Sequence, residues 1–188
     1  MTIPQFQKTI LSWSKTNRRD LPWRNTKDPY KILVSEVMLQ QTQVQRVVPK
    51  YELFLKEFPT IEALSKTTDR KLLSVWQGLG YWRRALFLKQ TAIEIVKNHR
   101  RAFPKDTETL QTLPGIGPYT AGALSCFAFN NTQAFIDTNV RRVYLHFFFK
   151  NKKNISDREI LKIAQKAVPE DSPREWHYAL FDYGAIVL

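Results

Sequence analysis

Leu113-Pro114-Gly115-Ile116-Gly117-Pro118-Tyr119-Thr120-Ala121-Gly122-Ala123 is the stretch on which the reading of this chain turns. One helix ends before it, two glycines bracket a single apolar residue, and a second helix opens at once with proline at its first position. Gly115 and Gly117 let the backbone turn tightly with no Cβ in the way. The amides freed at the start of the second helix, and its dipole, then face outward, where they can bind a phosphate. A lone G-x-G serves equally as a plain connection between helices. The apolar anchors Leu113 and Ile116, together with the charge of the chain, favour the phosphate reading.

That charge is large. The 188 residues hold 29 Lys+Arg against 17 Asp+Glu, a formal net charge of +12. An excess of cations concentrates a polyanion, nucleic acid being the commonest, although a basic surface also serves solubility alone. Aromatic residues at 13% argue against disorder. No apolar run approaches the roughly 18 residues of a membrane span, and residues 1–5 lack the pattern of a secretory signal. The expectation is a cytoplasmic protein with no membrane partner, associated with the nucleoid if bacterial. A single cysteine, Cys126, excludes internal disulfides and any multi-cysteine metal site.

Nearly every segment reads as helix, so the predicted class is all-α. Asp28 caps a helix with Pro29 at its first position, running to about Leu55. Thr60 and Thr68 open two short helices, the second stopping at Gly78. Helices are expected over residues 82–98, 107–112 and 118–128, and from an Asp137 cap to about Phe149. Ser156-Asp157-Arg158-Glu159 and Ser172-Pro173-Arg174-Glu175 have the form of capping boxes.

Three further stretches carry candidate chemistry. In Phe135-Ile136-Asp137-Thr138-Asn139, Asp137 is either an N-cap or a carboxylate able to stabilise a developing positive charge. In Ser35-Glu36-Val37-Met38-Leu39-Gln40-Gln41-Thr42-Gln43, Glu36 lies within an apolar run. A continuous helix would place Glu36, Gln40 and Gln43 on one face. Apolar walls raise a carboxyl pKa and suit it to general-acid work, whereas an exposed surface position would leave it ordinary. In Gln77-Gly78-Leu79-Gly80-Tyr81-Trp82-Arg83-Arg84, the aromatic pair either wedges between bases or belongs to the core of the following helix. Residues 83–105 carry seven Lys or Arg against Glu94 alone, a supply of contacts to a phosphate backbone.

In this order and spacing, these elements resemble the helix-hairpin-helix DNA glycosylase superfamily, and within it the MutY family of adenine glycosylases. The likeness runs from Leu21-Pro22-Trp23-Arg24 to Phe181-Asp182-Tyr183-Gly184-Ala185. It implies two helical subdomains with a DNA-binding cleft between them. One, a helical barrel with the hairpin, would span residues 29–129; the other would join 1–28 to 130–188. It implies a monofunctional base-excision enzyme that flips out adenine mispaired with 8-oxoguanine or guanine. Glu36 would be the catalytic acid, then base, Asp137 the stabiliser of the sugar cation, and Tyr119 a support of the transition state. Trp23, Arg24, Leu39, Gln40 and Asp182 would lie around the flipped base, and Gln41 and Tyr81 around its partner. Gly115, Gly117, Tyr119, Thr120, Arg83 and Arg84 would meet the DNA backbone. Bifunctional relatives carry a Schiff-base lysine near the hairpin, and no lysine lies between Lys105 and Lys150.

The resemblance has gaps. Most of the family follows Gly-Ala with the first of four cysteines that hold an iron–sulfur cluster; Leu188 stands there. The expectation is therefore no cofactor and no metal, in a monomer acting on double-stranded DNA. The chain is either naturally compact or a truncated piece, and an end just inside an apolar helix favours the latter. A tyrosine at the hairpin position also suits a thymine glycosylase acting on T·G mispairs. A DNA-binding module without activity is the alternative from another class; retention of Glu36, Tyr119 and Asp137 speaks against it.

Overall fold

A computed structural model describes residues 1–150, 152 and 154–188. Among them there are eleven α-helices and one 3-10 turn, with no strand, so the class is all-α. The helices are α1 (Ile3–Asn17), α2 (Pro29–Leu39), α3 (Val44–Glu57), α4 (Ile61–Lys66), α5 (Asp69–Trp76), α6 (Arg83–Asn98), α7 (Thr107–Gln111), α8 (Pro118–Phe129), α9 (Thr138–Phe148), α10 (Asp157–Ala167) and α11 (Pro173–Ile186); the 3-10 turn is Pro22–Asn25. None is long and apolar enough to cross a membrane.

Side-chain caps set most of these starts. Asp28, Thr60, Thr68 and Asp137 each accept a hydrogen bond from a first-turn amide, and Ser156 with Glu159 forms a full capping box. Ser172 does not: its side chain makes no cap bond to α11, and Pro173 at the first position opens that helix instead. A second correction bears on the site. The expected single helix over residues 29–55 is two, because Gln40 turns extended (ψ 111°) and Gln41 adopts φ +55°.

The chain divides into two compact units, Leu21–Phe129 and Met1–Asp20 with Asn130–Leu188. In the first, α2 and α8 pack against each other as the central pair. Residues 32–38 of α2 and 120–127 of α8 are buried without interruption, as befits helices that are largely apolar over these runs. Tyr30 donates its hydroxyl proton to the Phe58 carbonyl at 2.7 Å, tying α2 to the end of α3. Trp23 stands edge-on to Tyr51 at 5.4 Å. The segment 21–28 accordingly belongs with this unit, and the boundary falls eight residues before the one read from the sequence.

The second unit is built on α1, α9, α10 and α11. Phe6 and Ile10 of α1 are fully buried among Val140, Val143 and Tyr144 of α9 and Trp176 and Leu180 of α11. The Phe6 ring meets Tyr144, Phe148 and Trp176 edge-on at 5.0–5.3 Å, the arrangement that aromatic quadrupoles favour.

Candidate nucleic-acid interface and carboxylates

The hairpin begins where α7 stops. The Leu113 amide donates to the Leu110 carbonyl and the Ile116 amide to the Leu113 carbonyl, both at 3.2 Å, and Leu113 and Ile116 sink into the unit as anchors. Gly115 has φ +74°, and a Cβ there would lie 2.6 Å from the Cβ of Phe87 on α6. Thr91, also on α6, donates its hydroxyl proton to the Pro114 carbonyl at 2.6 Å and pins the turn. Gly117 is exposed with open space where its Cβ would be. The opening amides of α8 follow it, without acceptors inside their own helix. Thr120, expected at the backbone of DNA, buries its side chain.

A second surface forms where three turns of the same unit converge. Gln40, Gln41, Tyr81, Trp82, Arg83, Arg84, Phe87 and Gly115 line an open groove of about 490 Å³. The aromatic pair is not core: Tyr81 is 61% and Trp82 53% exposed, with Phe87 at 46% beside them. Gln41 (φ +55°) and Tyr81 (φ +46°) both hold the left-handed backbone region that non-glycine residues rarely adopt. Arg83 is exposed and lies over the Trp82 ring at 5.6 Å. Arg84, expected at a phosphate, turns inward and donates to main-chain carbonyls of both neighbouring turns.

Glu36 is 4% exposed, on the helix whose end forms this groove. The amide face expected beside it does not form, because α2 stops at Leu39 and leaves Gln40 and Gln43 in a separate turn. Leu39 is half-buried, and Trp23 and Arg24 are buried in the 3-10 turn.

In the other unit, Asp137 is the N-cap of α9. Its Oδ1 accepts the Val140 amide at 2.7 Å as an N-cap, and its Oδ2 accepts from Asn139 Nδ2 at 3.2 Å. Burial raises its pKa above the ordinary aspartate value, and these hydrogen bonds, which favour the ionised form, oppose part of that rise. Asn139 joins Asp137 as a candidate residue, its sequence signal being an amide two residues beyond a capping carboxylate. A Cβ on Gly184 would come within 2.5 Å of the Asn139 carbonyl oxygen, so α11 lies directly against the turn that holds Asp137. Asp182, expected beside the flipped base, is fully buried and accepts from the Arg19 main-chain amide at 3.1 Å and from Arg19 Nε at 2.5 Å. No sequence signal links those two residues, which are 163 positions apart.

Cys126, the one cysteine of the sequence, is buried in α8. Among the described residues no group of three His, Cys, Asp or Glu side chains is placed to hold a metal. The residues present do not fit an iron–sulfur cluster.

Comparison with known proteins gives this geometry a family. An adenine DNA glycosylase of Buchnera aphidicola subsp. Baizongia pistaciae is 38% identical over all of this chain and 54% of its own length. One from Mycolicibacterium smegmatis is 39% identical over 95% of this chain and 61% of its own. The chain spans about half the length of the curated relatives it matches. The solved structure of a thermostable thymine-DNA glycosylase superposes with a TM-score of 0.89 at 31% identity, over 98% of this chain and 86% of that one. The family model for HhH-GPD superfamily base excision DNA repair proteins matches residues 34–170, which include the buried Glu36, the hairpin and Asp137. The chain belongs to the HhH-GPD superfamily of base excision DNA repair proteins.

Proposed function

We propose that the chain, as a monomer, hydrolyses the N-glycosidic bond of adenine mispaired with 8-oxoguanine or guanine in double-stranded DNA, without a metal cluster. The observation that carries this reading is Glu36, a carboxylate buried among the apolar residues of a helix whose end forms an aromatic and basic groove. Relatives named adenine DNA glycosylase over the full length of the chain support the choice of base.

A base inside the duplex is out of reach, so it leaves the stack first, at a cost of a few kcal/mol. Arg83 and the α8 amides hold the backbone while Gln41 and Tyr81 meet the base left behind. Protonated Glu36 gives its proton to N7 of adenine, and the bond from C1′ to N9 breaks with its electron pair going to the base. The Asp137 carboxylate, whose ionised form the Val140 and Asn139 hydrogen bonds favour in part against burial, stabilises the sugar cation. Glu36, now a carboxylate, takes a proton from the water whose oxygen attacks C1′. With no lysine between Lys105 and Lys150, the product is an intact strand with an abasic site.

The test is a single-turnover excision assay on labelled duplexes with adenine opposite 8-oxoguanine, adenine opposite guanine, thymine opposite guanine, and normal pairs. Alkali-dependent cleavage at adenine that is lost in Glu36→Gln is the expected result. No excision from a folded protein that binds DNA overturns the proposal. A second reading, thymine excised opposite guanine, is favoured by the 31% identity to the thymine-DNA glycosylase; cleavage at thymine in the same assay selects it.

A further inference from the structure

We infer that Arg84 is the positioning residue for opposing-base recognition, one guanidinium clasping the turns that present Gln41 and Tyr81. The inference rests on the glycosylase reading above for its consequence, although not for its geometry.

The clasp is visible in the hydrogen bonds. Nη1 donates toward the carbonyls of Val37 (2.7 Å), Met38 (3.0 Å) and Gln40 (2.5 Å). Nη2 donates toward the Thr42 hydroxyl (3.1 Å) and the carbonyls of Leu79 (3.0 Å) and Gly80 (3.3 Å). The acceptors flank Gln41 on one side and immediately precede Tyr81 on the other. The guanidinium also lies over the rings of Trp76 and Tyr81, its Cζ 5.5 Å from each centroid. Trp76 donates its indole N–H to the Gly80 carbonyl at 3.1 Å, adding a second tie to the same turn.

Charge explains why this position takes an arginine. α2 has no basic residue in its last turn, so its final carbonyls lack a cation of their own. Arg84 lies in the first turn of α6, where its own helix dipole disfavours it, and reaches the end of α2, where the dipole favours it. The fork shape decides the rest. A guanidinium spans two turns with separate nitrogens, whereas an ammonium is a single point. Gln41 and Tyr81 both hold strained backbone conformations, which persist only where their surroundings over-determine them. Arg84 bonds to the backbone of both turns at 2.5–3.3 Å. Thr42, whose hydroxyl reaches the Gln40 carbonyl at 3.3 Å and the Leu79 carbonyl at 3.4 Å, adds a weaker tie between them. The neighbouring Arg83, exposed over Trp82, is left for the phosphate.

Arg84→Met and Arg83→Met separate the two roles. Hydrogen exchange should speed about tenfold or more at residues 40–42 and 79–81 in Arg84→Met while amides of α8 keep their protection. Binding to undamaged duplex should keep its log–log salt slope in Arg84→Met and lose about one in Arg83→Met. Preference for adenine in a mispair over adenine opposite thymine should fall about tenfold in Arg84→Met. Adding Gln41→Ala to that variant should change little, because both act on one contact. Arg84→Lys should not restore the preference, and Thr42→Val, which removes the hydroxyl that accepts from Arg84 and its longer bonds to the Gln40 and Leu79 carbonyls, should shift exchange in the same direction by less. Should Arg84→Met not fold, Arg84→Lys and Thr42→Val carry the test. A salt slope reduced by one in Arg84→Met, unchanged exchange at the two turns, or additive effects with Gln41→Ala overturns the inference. If wild type excises nothing, the glycosylase reading fails while exchange and salt slope still decide the clasp.

Discussion

Gly115 and Gly117 stand two residues apart in one hairpin, and replacing each by alanine should separate stability from binding. At Gly115, φ is +74° and the new Cβ would sit 2.6 Å from the Cβ of Phe87, with the ring carbon Cγ at 3.0 Å. A left-handed backbone costs an L-residue about 1–2 kcal/mol. The clash is with a Cβ, which no rotamer change can move, and overpacking of this kind adds about 1–3 kcal/mol. Gly115→Ala should therefore lose roughly 2–5 kcal/mol, measured by chemical denaturation with the slope unchanged. At Gly117 nothing lies within 4 Å of the new Cβ, so Gly117→Ala should stay within about 0.5 kcal/mol of wild type. That Cβ instead occupies the approach to the opening amides of α8. If they grip a phosphate, duplex affinity should fall about tenfold or more at fixed salt, the size of a lost hydrogen bond to a charged group. A Gly117→Ala protein that binds duplex as wild type does would refute the phosphate reading of the hairpin. A Gly115→Ala protein as stable as wild type would refute the packing argument.

Three further outcomes follow from the second unit. Asp137 has a folded-state pKa above its unfolded value, so the folded state binds the extra proton and stability falls as pH rises through that window. Asp137→Asn, which keeps a capping side chain, should raise Tm at pH 7, with the gain shrinking as pH drops below the ordinary carboxylate range, while excision is lost and duplex binding stays. A lowered Tm at pH 7 would show that its role is chiefly that of a cap. His177, fully buried and stacked on Phe135 at 4.1 Å, has its pKa pushed down from 6.5 to about 4 by burial. The unfolded chain binds that proton first, so stability is lost as pH falls from 6.5 towards 4, on the order of 3 kcal/mol at about 1.4 kcal/mol per pH unit. In His177→Phe, denaturation curves across that range should lose this component; an unchanged acid slope would count against it. Gly184→Ala forces a Cβ against the Asn139 carbonyl at 2.5 Å. It should destabilise by about 1–3 kcal/mol and slow excision more than it weakens duplex binding, since the displaced turn carries Asp137.

Much of the fold was legible because its signals are local. Asp28, Thr60, Thr68, Asp137 and Ser156 cap helices where their side chains suggested, since a cap needs only the next three amides. The hairpin was legible for the same reason, its glycines and apolar anchors lying within five residues. The break after Leu39 was not. Residues 40–43 contain neither glycine nor proline, and nothing nearby marks Gln41 for a left-handed backbone; that turn is held by Arg84, more than forty residues further on. Proximity in sequence likewise placed Arg83 and Arg84 in one role, whereas packing turned one outward and the other in.

By itself, the sequence determined the helical class, the hairpin, the positive charge and the two carboxylates worth testing, because each depends on neighbours within a turn or two. Only the tertiary structure decided which aromatics stay exposed, that Asp182 is tied to Arg19, and that the turns bearing Gln41 and Tyr81 share one groove. Those outcomes depend on hydrogen bonds and contacts between residues tens to more than a hundred positions apart. Such pairings are set by how helices pack, and no local pattern encodes them.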